Sequence, residues 1–115
     1  MENLETNDHG SNVFVFTETI TPVEGRAEDV LAISLKSGEL LRGQPGLIQY
    51  MVAKSEKSNG QVSTTTVWAK KTDFQNFMKT DAVAALLKSN DMANIKTWMS
   101  DYNASMSSYV DGWHP

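Results

Sequence analysis

The chain has no cysteine in its 115 residues. That excludes disulfides, zinc–cysteine sites, iron–sulfur clusters and thiol catalysis together. A small domain without disulfides fits a reducing compartment, so a cytoplasmic location is expected. Histidine is nearly as scarce, with His9 and His114 lying near the two ends. No cluster with metal-ligand spacing can be assembled, so no metal is expected. No internal histidine could serve as a base, and no G-x-S-x-G elbow occurs, which removes the serine-hydrolase arrangement. The glycines at 25, 38, 43, 46 and 60 form neither G-x-G-x-x-G nor a P-loop. No apolar run approaches the length of a membrane span. Residues 1–11 lack the basic and apolar stretches of a signal peptide.

Positive charge is also short. Ten Lys and Arg face fourteen Asp and Glu, giving a net charge of −4 and a pI near 5.0. Nucleic-acid binding rests on neutralising phosphates, so that class is disfavoured. Lys70-Lys71 is the one adjacent basic pair and reads as a solvated turn.

What remains is ordinary globular composition, 40% hydrophobic and 21% charged. Met1 to Ser11 reads as a disordered lead-in, and residues 12–115 read as a single domain. Val13 to Thr21 is rich in β-branched and aromatic residues and reads as a strand. Phe14, Phe16, Glu18 and Ile20 point one way; Val13, Val15, Thr17 and Thr19 point the other. Pro22 ends it. A helix is expected from about Arg26 to Arg42, with apolar positions at Val30, Leu31, Ser34, Leu35, Gly38 and Leu41. Gly43 to Gly46 is a hard stop.

Leu47 to Lys54 is a second strand, Ser58-Asn59-Gly60 a hairpin turn, and Val62 to Ala69 a third strand. Thr72, with Gln75 three residues on, suggests a capped helix. That helix continues, with a break at Thr80-Asp81, through Leu87 and Lys88. Met92, Ile95, Met99, Tyr102, Met106, Tyr109 and Trp113 keep a helical spacing, while Ser105 to Val110 has strand character. The expectation is a helix from Asp91 to about Asn103, then a short fourth strand. The fold class is α+β: a ferredoxin-like β-α-β-β-α-(α)-β order with an antiparallel sheet.

That order, with Pro45-Gly46 closing the first helix, resembles the antibiotic biosynthesis monooxygenase family of dimeric α+β barrels. Thr66-Val67-Trp68-Ala69-Lys70-Lys71-Thr72-Asp73-Phe74, then Lys79-Thr80-Asp81, carries the likeness: a strand ending in Trp, then a turn into an aromatic-bearing helix. The resemblance spans Val13 to Asn90. It implies a homodimer and a cofactor-free oxygenase acting on a small aromatic or quinol compound. In the haem-degrading branch an Asn, a Trp and an iron-ligating His fall at Glu18, Trp68 and Leu87. Leucine cannot ligate iron, so haem chemistry by that route is not expected, and no cofactor is expected.

Glu18 shares a face with Phe14 and Phe16, an unusual setting for a carboxylate. A carboxylate there could take a proton from an acidic phenol or anthrone. Trp68 would stack the aromatic ring, and Phe14, Phe16, Tyr50, Phe77 and Met78 would form pocket walls. Competing readings stand beside these. Glu18 could be solvated or paired with a basic side chain, Trp68 could be plain core, and the walls could be packing. The methionine-rich stripe from Met92 to Met106 reads as a docking or dimer surface. The face of Val13, Val15, Thr17 and Thr19, with Ser63, Thr65 and Val67, is too apolar for solvent and too polar for a dry core. A sheet-on-sheet interior between two subunits suits it. Three functions stay open: an oxygenase, a non-catalytic binder of a small hydrophobic molecule, and a structural dimer. A cavity beside Glu18 favours the first two; a packed core favours the third.

Overall fold

The computed structural model describes residues 13–57 and 59–112. The expectations for residues 1–11, for His9 and His114, and for Ser58 lie outside the described residues. Four strands form one antiparallel sheet: β1 (Phe14–Pro22), β2 (Leu47–Lys54), β3 (Val62–Trp68) and β4 (Met99–Ser108), in the order β2-β3-β1-β4. Four helices accompany it: α1 (Ala27–Gly38), α2 (Lys71–Met78), α3 (Asp81–Leu87) and α4 (Asn90–Trp98). The arrangement is the α+β, ferredoxin-like fold expected from the order of elements. None of these helices is long and apolar enough to cross a membrane.

β1 is an inner strand, paired from Phe14↔Trp68 to Ile20↔Val62 on one side and from Phe14↔Ser108 onward on the other. Its β-branched and aromatic residues suit that doubly paired position. Proline has no N–H for the ladder, and the register with β4 shifts between Thr21 and Pro22, where the strand ends. β2 and β3 join through the Asn59-Gly60 turn, and Gly60 holds φ at +65°, as the turn demands.

The first helix is shorter than its apolar spacing predicts. α1 stops at Gly38, and Glu39–Leu41 form one 3₁₀ turn. Val30, Gly38 and Leu41 of the expected stripe are buried, while Leu35 is exposed and Ile33 is buried in its stead. Glu28 and Asp29 in the first turn, with Lys36 in the last, suit the helix dipole.

Two expectations fail locally. Thr72 does not cap α2: Lys70 occupies that position without a side-chain cap, and Thr72 lies inside the first turn. The helix expected to reach Asn103 ends at Trp98, and the chain is extended from Met99. The break at Thr80-Asp81 is real. The Thr80 hydroxyl accepts from the Val83 N–H at 3.3 Å and caps α3, and Ser89 caps α4 through the Met92 N–H at 3.2 Å.

All four helices lie on the face that carries Phe16, Glu18 and Ile20, since side chains from each help enclose the space above that face. The buried cluster of Phe14, Leu41, Trp68 and Phe74 anchors one end, with Phe16, Leu47, Tyr50 and Phe77 against it. Among the described residues the other face has no helix. There Thr17 and Thr65 hydroxyls meet at 3.3 Å, and Thr19 and Ser63 at 3.1 Å, all four half-buried.

Candidate functional site

Between sheet and helices lies a cavity of about 370 Å³, with predominantly apolar walls. The sheet supplies Phe16, Glu18, Ile20, Tyr50, Thr64, Thr66, Trp68 and Tyr102. Phe77, Met78, Leu86, Met92 and Ile95 close it from the helices. This volume falls within the usual range for small-molecule sites, about 300–1,000 Å³. A second depression, lined by Val13, Phe14, Lys70, Lys71 and the end of β4, is more open to solvent and more polar.

Among the described residues Glu18 is the one carboxylate on the cavity wall, and it is half-buried. Its cross-strand neighbours are short, Thr64 on β3 and Ala104 on β4, and they leave room for its side chain on that face. Tyr102 stands two residues before Ala104, so alternation puts it on the same face. Its phenol donates to Glu18 Oε2 at 2.5 Å. Burial, then the hydrogen bond to Glu18 and its charge, push the Tyr102 phenol far above the ordinary tyrosine range. Tyr102 is therefore a fixed donor. Among the described residues, Glu18 Oε1 has no hydrogen-bond partner.

Trp68 is fully buried, and its indole N–H donates to Thr66 Oγ1 at 2.9 Å. Burying that N–H without a partner would be costly, and the adjacent inward hydroxyl two residues back meets the need. Phe74 presents a ring edge-on at 5.9 Å, and Phe77 lies at 5.5 Å, so the indole is packed beneath the cavity as part of an aromatic core cluster. Phe74 also stands 4.7 Å from Phe16.

Tyr50 lines the wall with its hydroxyl buried and, among the described residues, without a hydrogen-bond partner. Burial, then the charge of Glu39, raise its pKa above the ordinary value. Its ring fits only because residue 38 is glycine: a Cβ there would lie 1.8 Å from the Tyr50 hydroxyl oxygen.

The structure thus brings Phe16, Glu18, Tyr50, Trp68, Phe77 and Met78 to one cavity. Phe14 stands apart from it, packed against Phe74 at 5.2 Å in the core. The methionine stripe divides: Met92, Ile95, Met99 and Tyr102 turn toward the cavity, with Ile95 buried, while Met106 is exposed. Tyr102 is a site residue that the sequence pattern hides, because its spacing from Met99 and Met106 also fits a helical stripe. The alternation of Tyr102, Ala104 and Met106 was the signal for its true placement. Leu87, at the position of the iron-ligating histidine, stands on the cavity rim and is about half exposed. Among the described residues no group of three His, Cys, Asp or Glu side chains could hold a metal ion. Chemically, the cavity can hold a flat apolar molecule against aromatic and thioether walls and offer it one carboxylate.

The family model for antibiotic biosynthesis monooxygenases matches residues 13–89. No curated protein matches the chain in sequence. Solved structures are similar in fold. A protein from Shewanella oneidensis superposes with a TM-score of 0.72 at 14% identity, covering 84% of this chain and 90% of that one. SnoaB, a cofactor-independent oxygenase from Streptomyces nogalater, gives 0.70 at 9% identity, covering 88% and 96%. A Pseudomonas aeruginosa protein gives 0.71 at 14% identity, covering 90% and 99%. At such identities the likeness speaks for the fold alone.

Proposed function

The chain belongs to the antibiotic biosynthesis monooxygenase family, and from that premise we propose that it is a cofactor-independent monooxygenase acting on a small aromatic or quinol-type compound. The observation that carries this reading is the carboxylate of Glu18 on the wall of a half-open, predominantly apolar cavity. A flat substrate lies between Phe16, Tyr50, Phe77 and Met78, above the core in which Trp68 is buried. Glu18 acts as general base.

For an anthrone-like substrate the chemistry balances without an added reductant. The acidic C–H bond breaks and its proton passes to Glu18. The resulting carbanion gives one electron to O₂, and the radical pair closes a C–O bond to form a peroxide. Glu18 returns its proton to the terminal peroxide oxygen. The O–O bond then breaks as the second C–H proton leaves. One oxygen stays as a carbonyl and the other departs as water. The substrate supplies all four electrons.

The test is oxygen uptake with dithranol, a hydroxylated anthrone, corrected for autoxidation and run without flavin, metal or haem. Glu18→Gln should lower kcat by about 100-fold or more, the usual scale of general-base catalysis. Uptake unchanged by Glu18→Gln sinks the mechanism. Binding of dithranol without any uptake would instead favour a non-catalytic binding module.

The same reading includes a homodimer. The helix-free face carries half-buried hydroxyls in pairs, and Met51 beside them on β2 is about half exposed. A second copy laid on this face would cover both. Sedimentation at micromolar concentration should give the mass of two chains, and a monomer there refutes the dimer.

A further inference from the structure

The contact between Glu18 and Tyr102 joins residues 84 positions apart, on two strands that pair directly. A free glutamate side chain would sample several rotamers and offer either oxygen to a substrate. Here one oxygen is engaged. Tyr102 rises from β4 on the cavity face, lines the cavity, and points its phenol at Oε2. Oε1 has no partner among the described residues. Among the described residues no lysine or arginine is paired with Glu18, although Lys96 also lines the cavity; the ion pairs there are Arg26–Asp29, Lys36–Asp91, Arg42–Glu39 and Lys54–Glu28. A neutral donor thus does what a cation would otherwise do, and it orients the carboxylate without neutralising it.

We propose that Tyr102 is the positioning residue of Glu18, holding one carboxylate oxygen so that the other alone meets the substrate proton. The role rests on the reading of Glu18 as the base. It follows from geometry: a proton in flight needs an acceptor within hydrogen-bond reach and correctly aimed, and small misplacements are costly in rate. Tyr102 cannot compete as the base, because burial and the neighbouring carboxylate keep its phenol protonated. Its ring remains nearly half exposed while its hydroxyl faces inward, so the residue also forms part of the cavity's outer wall.

The experiment has two arms. In the first, tyrosine labelled at Cζ is titrated by NMR in the wild type, in Glu18→Gln and in Tyr102→Phe, the last assigning the Tyr102 signal. The Tyr102 titration should fall toward the ordinary value of about 10 in Glu18→Gln, with the Tyr109 signal unmoved. In the second arm, dithranol oxidation is followed against pH. Tyr102→Phe should lower kcat about tenfold or more, as for loss of a charge-assisted hydrogen bond. KM should stay within about twofold, and the acidic limb of the kcat profile should move. A Tyr102 titration identical in wild type and Glu18→Gln overturns the inference. So does a Tyr102→Phe enzyme with wild-type kcat and pH profile. If the wild type consumes no oxygen, the base reading falls, and the tyrosine titration alone then judges whether Tyr102 holds Glu18.

Discussion

Replacing Tyr50 by phenylalanine should make the protein more stable, against the usual direction of core substitutions. The Tyr50 hydroxyl is buried and has no partner among the described residues. Leaving a buried polar group unsatisfied costs about 1–3 kcal/mol. Tyr50→Phe removes that cost and leaves the ring packing in place. The small void left by one oxygen takes back a few tenths of a kcal/mol, at about 24 cal/mol per Å³. The net gain is about 1 kcal/mol. For a domain of this size that raises Tm by about 4 °C. Differential scanning calorimetry on ligand-free protein measures it. Gly38→Ala supplies the counterpart. Its Cβ would meet the hydroxyl oxygen at 1.8 Å and the ring Cζ at 2.4 Å, and overpacking of that kind costs about 1–3 kcal/mol. The better helix propensity of alanine offsets about 1 kcal/mol. Gly38→Ala should therefore lower Tm, and less so in the Tyr50→Phe background, since the closest contact is gone; the double-mutant cycle reads that coupling. A Tm unchanged or lowered by Tyr50→Phe refutes the reasoning, because it would mean that the hydroxyl has a partner in solution.

The two capping hydroxyls that bracket the cavity's roof should each be worth about 1 kcal/mol: Thr80→Ala and Ser89→Ala should each lower the urea midpoint by that amount, with unchanged slope. Alkaline pH should destabilise the fold. The Tyr50 and Tyr102 phenols are both raised, chiefly by burial, so the unfolded chain releases their protons first. Their contribution is complete below the unfolded value of about 10 and is lost as pH rises from there toward the raised folded values. Urea midpoints followed upward from pH 9 should decline, and Tyr102→Phe should blunt the decline.

The parts of the fold legible in the sequence were those set by local chemistry. The alternation along Phe14 to Ile20 put Glu18 and Phe16 on one face, which is the cavity face. Gly60 and Gly46 marked turns because few other residues accept the positive φ these positions hold. Thr80 stood out as a breaker and proved to be a cap. The failures came where two periods coincide or where distant partners decide. Tyr102 and Met106 are four apart, a spacing that fits both a helical turn and two strand repeats, so pattern alone could not separate them. Pairing with β1 settles it, through Ile20↔Tyr102 and Phe16↔Met106. Thr72 had the right residue three positions on for a capping box, yet the helix already starts at Lys71, so Thr72 is inside the first turn and not at the N-cap. Glu18 could be flagged as odd on its face, but its hydrogen-bond donor lay 84 residues away. The vacant room above it depended on how four helices settle, which no local signal encodes.

The strand order has a consequence for how the chain reaches this state. β1 is the first of the four strands to be synthesised, and β4, which completes its pairing, is the last. Until β4 arrives, β1 has an open edge, with Phe16 and Ile20 unsheltered on that side. Contacts so distant in sequence close late and slowly, and unpaired apolar strands are the surfaces on which nascent chains aggregate. Truncation before Met99 should therefore yield insoluble protein. In the intact chain, the slowest folding step should be the docking of β4, the same event that delivers Tyr102 to Glu18.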